Sequence, residues 1–204
     1  MSRRTKKATI YLDNAAATPI DPLVVEEMVG AMSLYANPSS FNDAGRLARK
    51  KLEESRTSIA RFLGAQTSEI VFTSSGSEAN SLALFGVTSS HPKPGEIITT
   101  PIEHPSVLES LKNLGKKGWK ITHLKVDRDG LIDLKDLERK LNPRVVLVSI
   151  IYANHEIGTI QSVAKISKII KKFRIKKYPY FHIDACQAAG YLDMNVNNLG
   201  VDMM

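Results

Sequence analysis

Four short stretches hold the polar side chains from which a site can be built: TSSGSEAN (residues 73–80), EHPS (103–106), YANHEIG (152–158) and HIDACQAAG (182–190). In the first, Ser74, Ser75, Gly76 and Ser77 precede an apolar helical stretch. The free N–H groups of such a helix start can receive a phosphate, with Gly76 allowing close approach and the hydroxyls of Ser75 or Ser77 adding hydrogen bonds. The same spacing also satisfies an ordinary capping box between Ser75 and Glu78, and it lacks the glycine and lysine pattern of a Walker A loop. His104 can stack over a planar ring or move a proton, and it can equally serve as a helix cap or a surface residue. Asn154 can donate to a ligand oxygen through its side-chain amide. His155 stands next to Glu156, but no second histidine lies at ligand spacing, so no metal site is expected. Asp184 ends an apolar run, and no lysine or arginine follows His182. A buried carboxylate needs a cationic or hydrogen-bonding partner. Asp184 either caps the turn that follows or pairs with a protonated ring nitrogen of a ligand, with Gln187 reaching a ring substituent.

These residues need a scaffold, and the apolar pattern supplies one. ATIYLDN reads as a short extended segment. DPLVVEEMVGAM reads as an amphipathic helix capped by Asp21, with Pro22 in its first turn. The turn-forming residues of SLYANPSSF make that segment irregular. A long helix is predicted over 43–63, with Leu47, Leu52, Ile59 and Leu63 as its apolar stripe and Gly64 as its stop. Strands and helices then alternate: EIVFT, SEANSLALFGVT, GEIITT, HPSVLESLKNLGKKG, KITHLKV, DLKDLERKL, VVLVSI, VAKISKIIKKF and YPYFHID. Strand cores as apolar as VVLVSI point to an α/β fold with a mainly parallel sheet covered on both faces. Sites in such folds lie beyond the carboxyl ends of the strands, where the polar stretches fall.

Composition narrows the function classes. With 204 residues and 43% hydrophobic content, one globular domain is the default. The net charge of +7 arises from 28 Lys and Arg against 21 Asp and Glu, much of it on helical runs. Solvated basic faces explain it, with weak polyanion binding at low salt as the most that follows; no zinc-finger or RNA-stacking motif accompanies it. No apolar run is long enough to cross a bilayer, and MSRRTKK leads into ATIYLDN rather than a signal-peptide core. The expected protein is soluble and cytoplasmic, without membrane or specific nucleic-acid partners. The single cysteine, Cys186, excludes an intrachain disulfide, fits a reducing compartment and reads as a small buried filler.

Taken in order, YLDNAAATPIDP, NPSS, EIVFTSSGSEAN, EHPSVL, NHEIGTIQ and HIDACQAAGYLDMNVNNLGVD resemble the cysteine desulfurases of the class V aminotransferase family, from Ile10 to Met204. Selenocysteine lyases and other class V members share much of this half. The resemblance implies the large domain of an aspartate-aminotransferase-like, fold type I, three-layer α/β/α enzyme, here truncated. Residues 1–20 would belong to the small-domain region and 21–204 to a partial cofactor-binding domain. It implies pyridoxal 5'-phosphate as cofactor, with Gly76 and Ser77 at its phosphate, His104 stacked on its ring, Asn154 and Gln187 near its ring hydroxyl, and Asp184 on its ring nitrogen. Asn37 would line the substrate side. Departures include Ser75 where glycine is common, Ser77 for threonine, Asn42 where histidine is frequent and His155 for a second asparagine.

The family's Schiff-base lysine, nucleophilic cysteine and carboxylate-clamping arginine fall beyond Met204, and Cys186 is no substitute. The chain alone is therefore expected to be inactive, holding noncovalent contacts for an enzyme that converts L-cysteine to L-alanine and an enzyme persulfide for iron–sulfur cluster assembly or tRNA thiolation. A homodimer, a complementing chain and a scaffold or sulfur-acceptor protein are the implied partners, and an exposed strand edge with apolar surface is expected. A truncated paralogue with a binding or scaffold role is the alternative outside catalysis.

Overall fold

Four parallel strands, each followed or preceded by a helix, form the sheet of this protein in a computed structural model that describes residues 10–174 and 177–204. The basic run MSRRTKK lies outside the described residues. The chain divides into two compact units, Met1–Glu54 and Ser55–Met204.

The first unit contains α1 (Pro22–Ala31), and the division falls within α2 (Asp43–Leu63). Asp21 caps α1 as expected, its Oδ1 accepting the Leu23 N–H at 2.8 Å, yet no residue of α1 is buried. Helix α2 has the expected bounds, and Gly64 ends it with a left-handed φ of 65°. Its contact face differs from the expected stripe. Leu47, Leu52 and Ile59 are exposed, Leu63 alone of the four packs on the core, and the buried positions are Gly45, Ala48 and Ala60. Backbone crowding is the reason at Gly45, where a Cβ would lie 2.6 Å from the Ser40 carbonyl oxygen. A small residue is what lets this helix approach the 37–40 turn.

The second unit holds α3 (Gly76–Ser90), β1 (Glu96–Thr99), α4 (Pro105–Lys116), β2 (Lys120–His123), α5 (Leu134–Lys140), β3 (Val145–Ile151), α6 (Val163–Phe173), β4 (Tyr180–Asp184) and α7 (Val196–Leu199). The strand order is β2-β1-β3-β4, with all pairs parallel and Thr99 opposite His123, Ile97 opposite Leu147 and Ile151 opposite Asp184. Ile97 and Leu147 pack under α3 and α4 against Leu84, Val107 and Leu111, while Ile98, Val148 and Ile183 pack under α5 and α6 against Leu137, Ile166 and Ile170. Both faces are covered, giving the expected three layers. Each such side chain taken from water contributes roughly 1.5–3 kcal/mol before entropy is set against it.

The chain passes from β1 to β2 on one side and returns to β3 on the other. The carboxyl ends of β1 and β3 therefore flank the switch point at which sheets of this kind bind ligands.

Two expectations need correction. EIVFT does not form a strand: residues 70–73 make no ladder pairing, Val71 and Phe72 are exposed, and the Ile70 carbonyl accepts from the Arg56 guanidinium at 2.6 Å. The same guanidinium lies 4.8 Å over the Phe72 ring, so one cation holds the segment where a neighbouring strand is not present among the described residues. The outer edge of β4 is also less open than expected, because Met203 makes a parallel bridge to His182 and its carbonyl accepts the Ile183 N–H at 3.1 Å. Apolar exposure is nevertheless evident at Leu23, Met32, Tyr35, Phe41 and Tyr191.

Candidate functional site

The start of α3 is built by its own cap. Ser75 Oγ accepts the Glu78 N–H at 3.2 Å, and the Glu78 carboxylate takes the N–H and hydroxyl of Ser74, each at 2.6 Å. Those Ser74 bonds, hydroxyl first, hold the Glu78 carboxyl below its usual range. The capping reading is thus realised with Ser74 as the reciprocal partner, and it leaves the phosphate reading intact. Gly76 and Ser77 open the helix, so their amides have no intrahelical carbonyl to meet, and Ser77 is exposed. Gly76 faces Cys186: a Cβ there would lie 2.5 Å from the cysteine Sγ. A side chain at this position would press on the Cys186 thiol.

Asp184 ends β4 and is buried. Its Oδ1 accepts the Cys186 N–H at 3.1 Å, which caps the turn, and its Oδ2 accepts from Asn80 Nδ2 at 2.8 Å. Both donors are neutral, and among the described residues no lysine or arginine makes an ion pair with Asp184. A buried carboxylate with hydrogen bonds but no counter-cation suits a ligand that brings a positive charge. The same charge reaches Cys186. Burial first, then the Asp184 carboxylate, pushes its thiol up to about 12. Cys186 is exposed at the strand end rather than the buried filler expected, and the raised value keeps its thiol protonated near neutrality.

His104 caps α4 from the end of β1, half-buried, with Nδ1 accepting the Ser106 N–H at 3.1 Å. The helix-cap reading is again realised, and the ring remains presented beside His155, whose centroid lies 5.3 Å away at an interplanar angle of 62°. Asn154 is mostly engaged by its own loop. Its Oδ1 accepts the N–H groups of Glu156 and Ile157 at 2.9 and 3.0 Å, and its Nδ2 donates to the Ile102 carbonyl at 2.9 Å. One amide hydrogen is left for a ligand. Gln187 is exposed just past Asp184. Asn37 lies in the first unit, where its Oδ1 accepts the Ser39 N–H at 2.9 Å and closes a turn. Among the described residues no three His, Cys, Asp or Glu side chains gather to hold a metal ion, and no helix is long and apolar enough to cross a membrane.

Sequence reading missed three residues. Glu103 is buried between β1 and β3, its Oε1 accepting the Thr100 hydroxyl at 2.6 Å and the Ile151 N–H at 3.0 Å, while Oε2 has no partner among the described residues. Burial, with the nearby Asp184 charge adding to it, raises its carboxyl to about 8. Asn80 and Ser106 join Asp184 to His104. The only available signal was their closeness in sequence to the motifs, Asn80 ending TSSGSEAN and Ser106 ending EHPS.

The family description Aminotransferase class-V matches residues 10–204. The chain belongs to the class-V aminotransferase family. Its relatives include Cysteine desulfurase IscS of Dictyoglomus turgidum, 44% identical over 97% of this chain and 50% of that protein, and Putative cysteine desulfurase IscS 1 of Bacillus subtilis, 40% identical over 96% and 51%. Among solved structures, a NIFS-like protein superposes with a TM-score of 0.88 at 39% identity, covering 93% of this chain and 52% of that one. SspA in complex with cysteine superposes at 0.89 and 34% identity, covering 96% and 56%. This class-V chain thus has the fold of NifS-like, fold type I enzymes and spans about half the length of the curated relatives it matches. Class-V aminotransferases and cysteine desulfurases depend on pyridoxal phosphate, and the Gly76 and Ser77 amides and the uncompensated Asp184 fit that cofactor's phosphate and ring nitrogen.

Proposed function

We propose that this chain supplies the noncovalent pyridoxal-phosphate site of a cysteine desulfurase. The observation that supports it most is Asp184, buried at the end of β4 with two neutral donors and, among the described residues, no cationic partner. The α3 amides of Gly76 and Ser77, with the Ser77 hydroxyl, bind the phosphate. Asp184 holds the ring nitrogen protonated, His104 covers one face of the ring, and Gln187 with the remaining Asn154 hydrogen orients its oxygen substituent. Bound there, the cofactor supplies an electron sink that acidifies the Cα–H bond of an amino-acid substrate. The relatives' names extend the reading to L-cysteine: its C–S bond breaks, a new S–S bond forms on an enzyme thiol, and L-alanine leaves. The nucleophilic thiol and the lysine come from outside Met1–Met204, in a cytoplasmic homodimer or from a complementing chain, and the persulfide passes to a scaffold or acceptor protein.

Calorimetric titration separates the contacts. Pyridoxal phosphate and pyridoxamine phosphate should bind, pyridoxal without phosphate should bind far more weakly, and Asp184→Ala should lower affinity at least tenfold, as loss of a charged pairing of ~1.5–3 kcal/mol requires. No binding by either phosphorylated form, or equal binding by the Asp184→Ala protein, would sink the reading.

A further inference from the structure

Asn80 is buried on α3, and its side-chain amide lies at the centre of a chain of hydrogen bonds that has only one consistent direction. Asp184 Oδ2 sits 2.8 Å from Asn80 Nδ2, and an ionised carboxylate only accepts, so the amide nitrogen must face it. The same Nδ2 lies 3.0 Å from Ser106 Oγ. It has two hydrogens: one goes to Asp184 and the other to Ser106. Ser106 Oγ therefore accepts on that side and keeps its single proton for its other neighbour, His104 Nδ1, at 2.8 Å. The Ser106 backbone N–H converges on the same ring atom at 3.1 Å, so His104 Nδ1 must present a lone pair.

We propose that Asn80 and Ser106 are positioning residues that orient Asp184 and lock His104 as the tautomer protonated at Nε2. Each donor in the relay points away from Asn80, one arm to the carboxylate and one through Ser106 to the imidazole. Any proton His104 exchanges with a ligand then passes through Nε2, because Nδ1 is occupied. Asn80 also lies one helical turn from Gly76, so α3 fixes the phosphate cradle, the carboxylate and the histidine as one rigid set. The relevance to a bound pyridine ring rests on the proposed cofactor site. The hydrogen-bond relay itself does not.

The test is the ring-nitrogen NMR spectrum of the protein labelled in its histidines, without cofactor and at alkaline pH where an ordinary imidazole is neutral. The His104 signals are assigned by their disappearance in His104→Gln. The wild-type protein should show the Nε2–H pattern at His104. Ser106→Ala removes the hydroxyl arm and should raise the share of the Nδ1–H tautomer about fivefold, the worth of one ordinary hydrogen bond. Ser106→Thr, which keeps the hydroxyl, should restore the wild-type pattern, and Asn80→Ala should shift it in the same sense as Ser106→Ala. An Nδ1–H wild-type ring, or a tautomer ratio unmoved by Ser106→Ala, overturns the proposal. Because the spectrum is taken without cofactor, failure to bind pyridoxal phosphate would defeat the proposed function and leave this result standing.

Discussion

At Gly76 a single missing methyl group keeps the start of α3 clear of Cys186. A Cβ built there meets Cys186 Sγ at 2.5 Å, far inside van der Waals contact, and Cys186 is held in place through its N–H bond to Asp184. Gly76→Ala should therefore be destabilising and weaken pyridoxal-phosphate binding, while Cys186→Ala alone should be mild. The double variant should recover most of the loss, a coupling of roughly 1–2 kcal/mol by thermal melts of all four proteins. Strict additivity would show that the two residues do not press on each other. The reading of Cys186 as a small buried filler does not hold, since the residue is exposed, and its neighbour across the site was not legible. The same holds for Asn80, whose partner Asp184 is 104 residues away in sequence. Residue types name what a side chain can donate or accept, and only the fold says to whom.

Helix α3 shows what an element adds to its residues. Its cap is a local device, with Ser75 holding the Glu78 N–H and Glu78 holding Ser74, and local devices are what a sequence displays. Ser75→Ala should cost about 1 kcal/mol of stability and, by loosening the first turn, weaken binding of inorganic phosphate or pyridoxal phosphate together. Chemical denaturation and calorimetry would check both; a stability loss with phosphate affinity unchanged would show that the cap does not shape the cradle. The bounds of α2 and the strands β1, β3 and β4 were legible for the same reason, since caps, stop glycines and runs such as VVLVSI act within a few residues. EIVFT was not, because a strand is a partnership: with β-forming residues but no neighbour to pair with among the described residues, 70–73 is held by Arg56 instead. The apolar stripe of α2 failed for a related reason, as the buried positions are the small residues Gly45, Ala48 and Ala60, with backbone crowding evident at Gly45.

At the scale of the whole molecule, two buried titratable groups in and beside the sheet, His182 and Glu103, give stability a defined pH dependence. His182 is buried, with Nδ1 2.9 Å from the Ser149 hydroxyl, and desolvation lowers its ring from 6.5 to about 4. Between those values the unfolded chain takes up a proton that the folded chain refuses, so stability is lost as pH falls through that window. Glu103 has the opposite sign. Burial raises its carboxyl from 4.5 to about 8, so across that window the unfolded chain has released a proton that the folded chain retains, and stability declines as pH rises. From about 4.5 to 6.5 the two slopes oppose each other; above that only the Glu103 slope remains, reaching on the order of a few kcal/mol in total. Gln at position 103 reproduces the protonated carboxyl, keeping an oxygen for the Thr100 hydroxyl and the Ile151 N–H and placing a donor at the unpartnered Oε2 position. Glu103→Gln should therefore match the wild-type melting temperature near pH 5 and exceed it increasingly toward pH 8, where the wild-type curve falls and the variant's does not. Thermal melts of both proteins across that range decide the matter. Parallel curves would mean that Glu103 ionises in the folded protein as readily as in water, and that the unpartnered oxygen between β1 and β3 is reached by solvent.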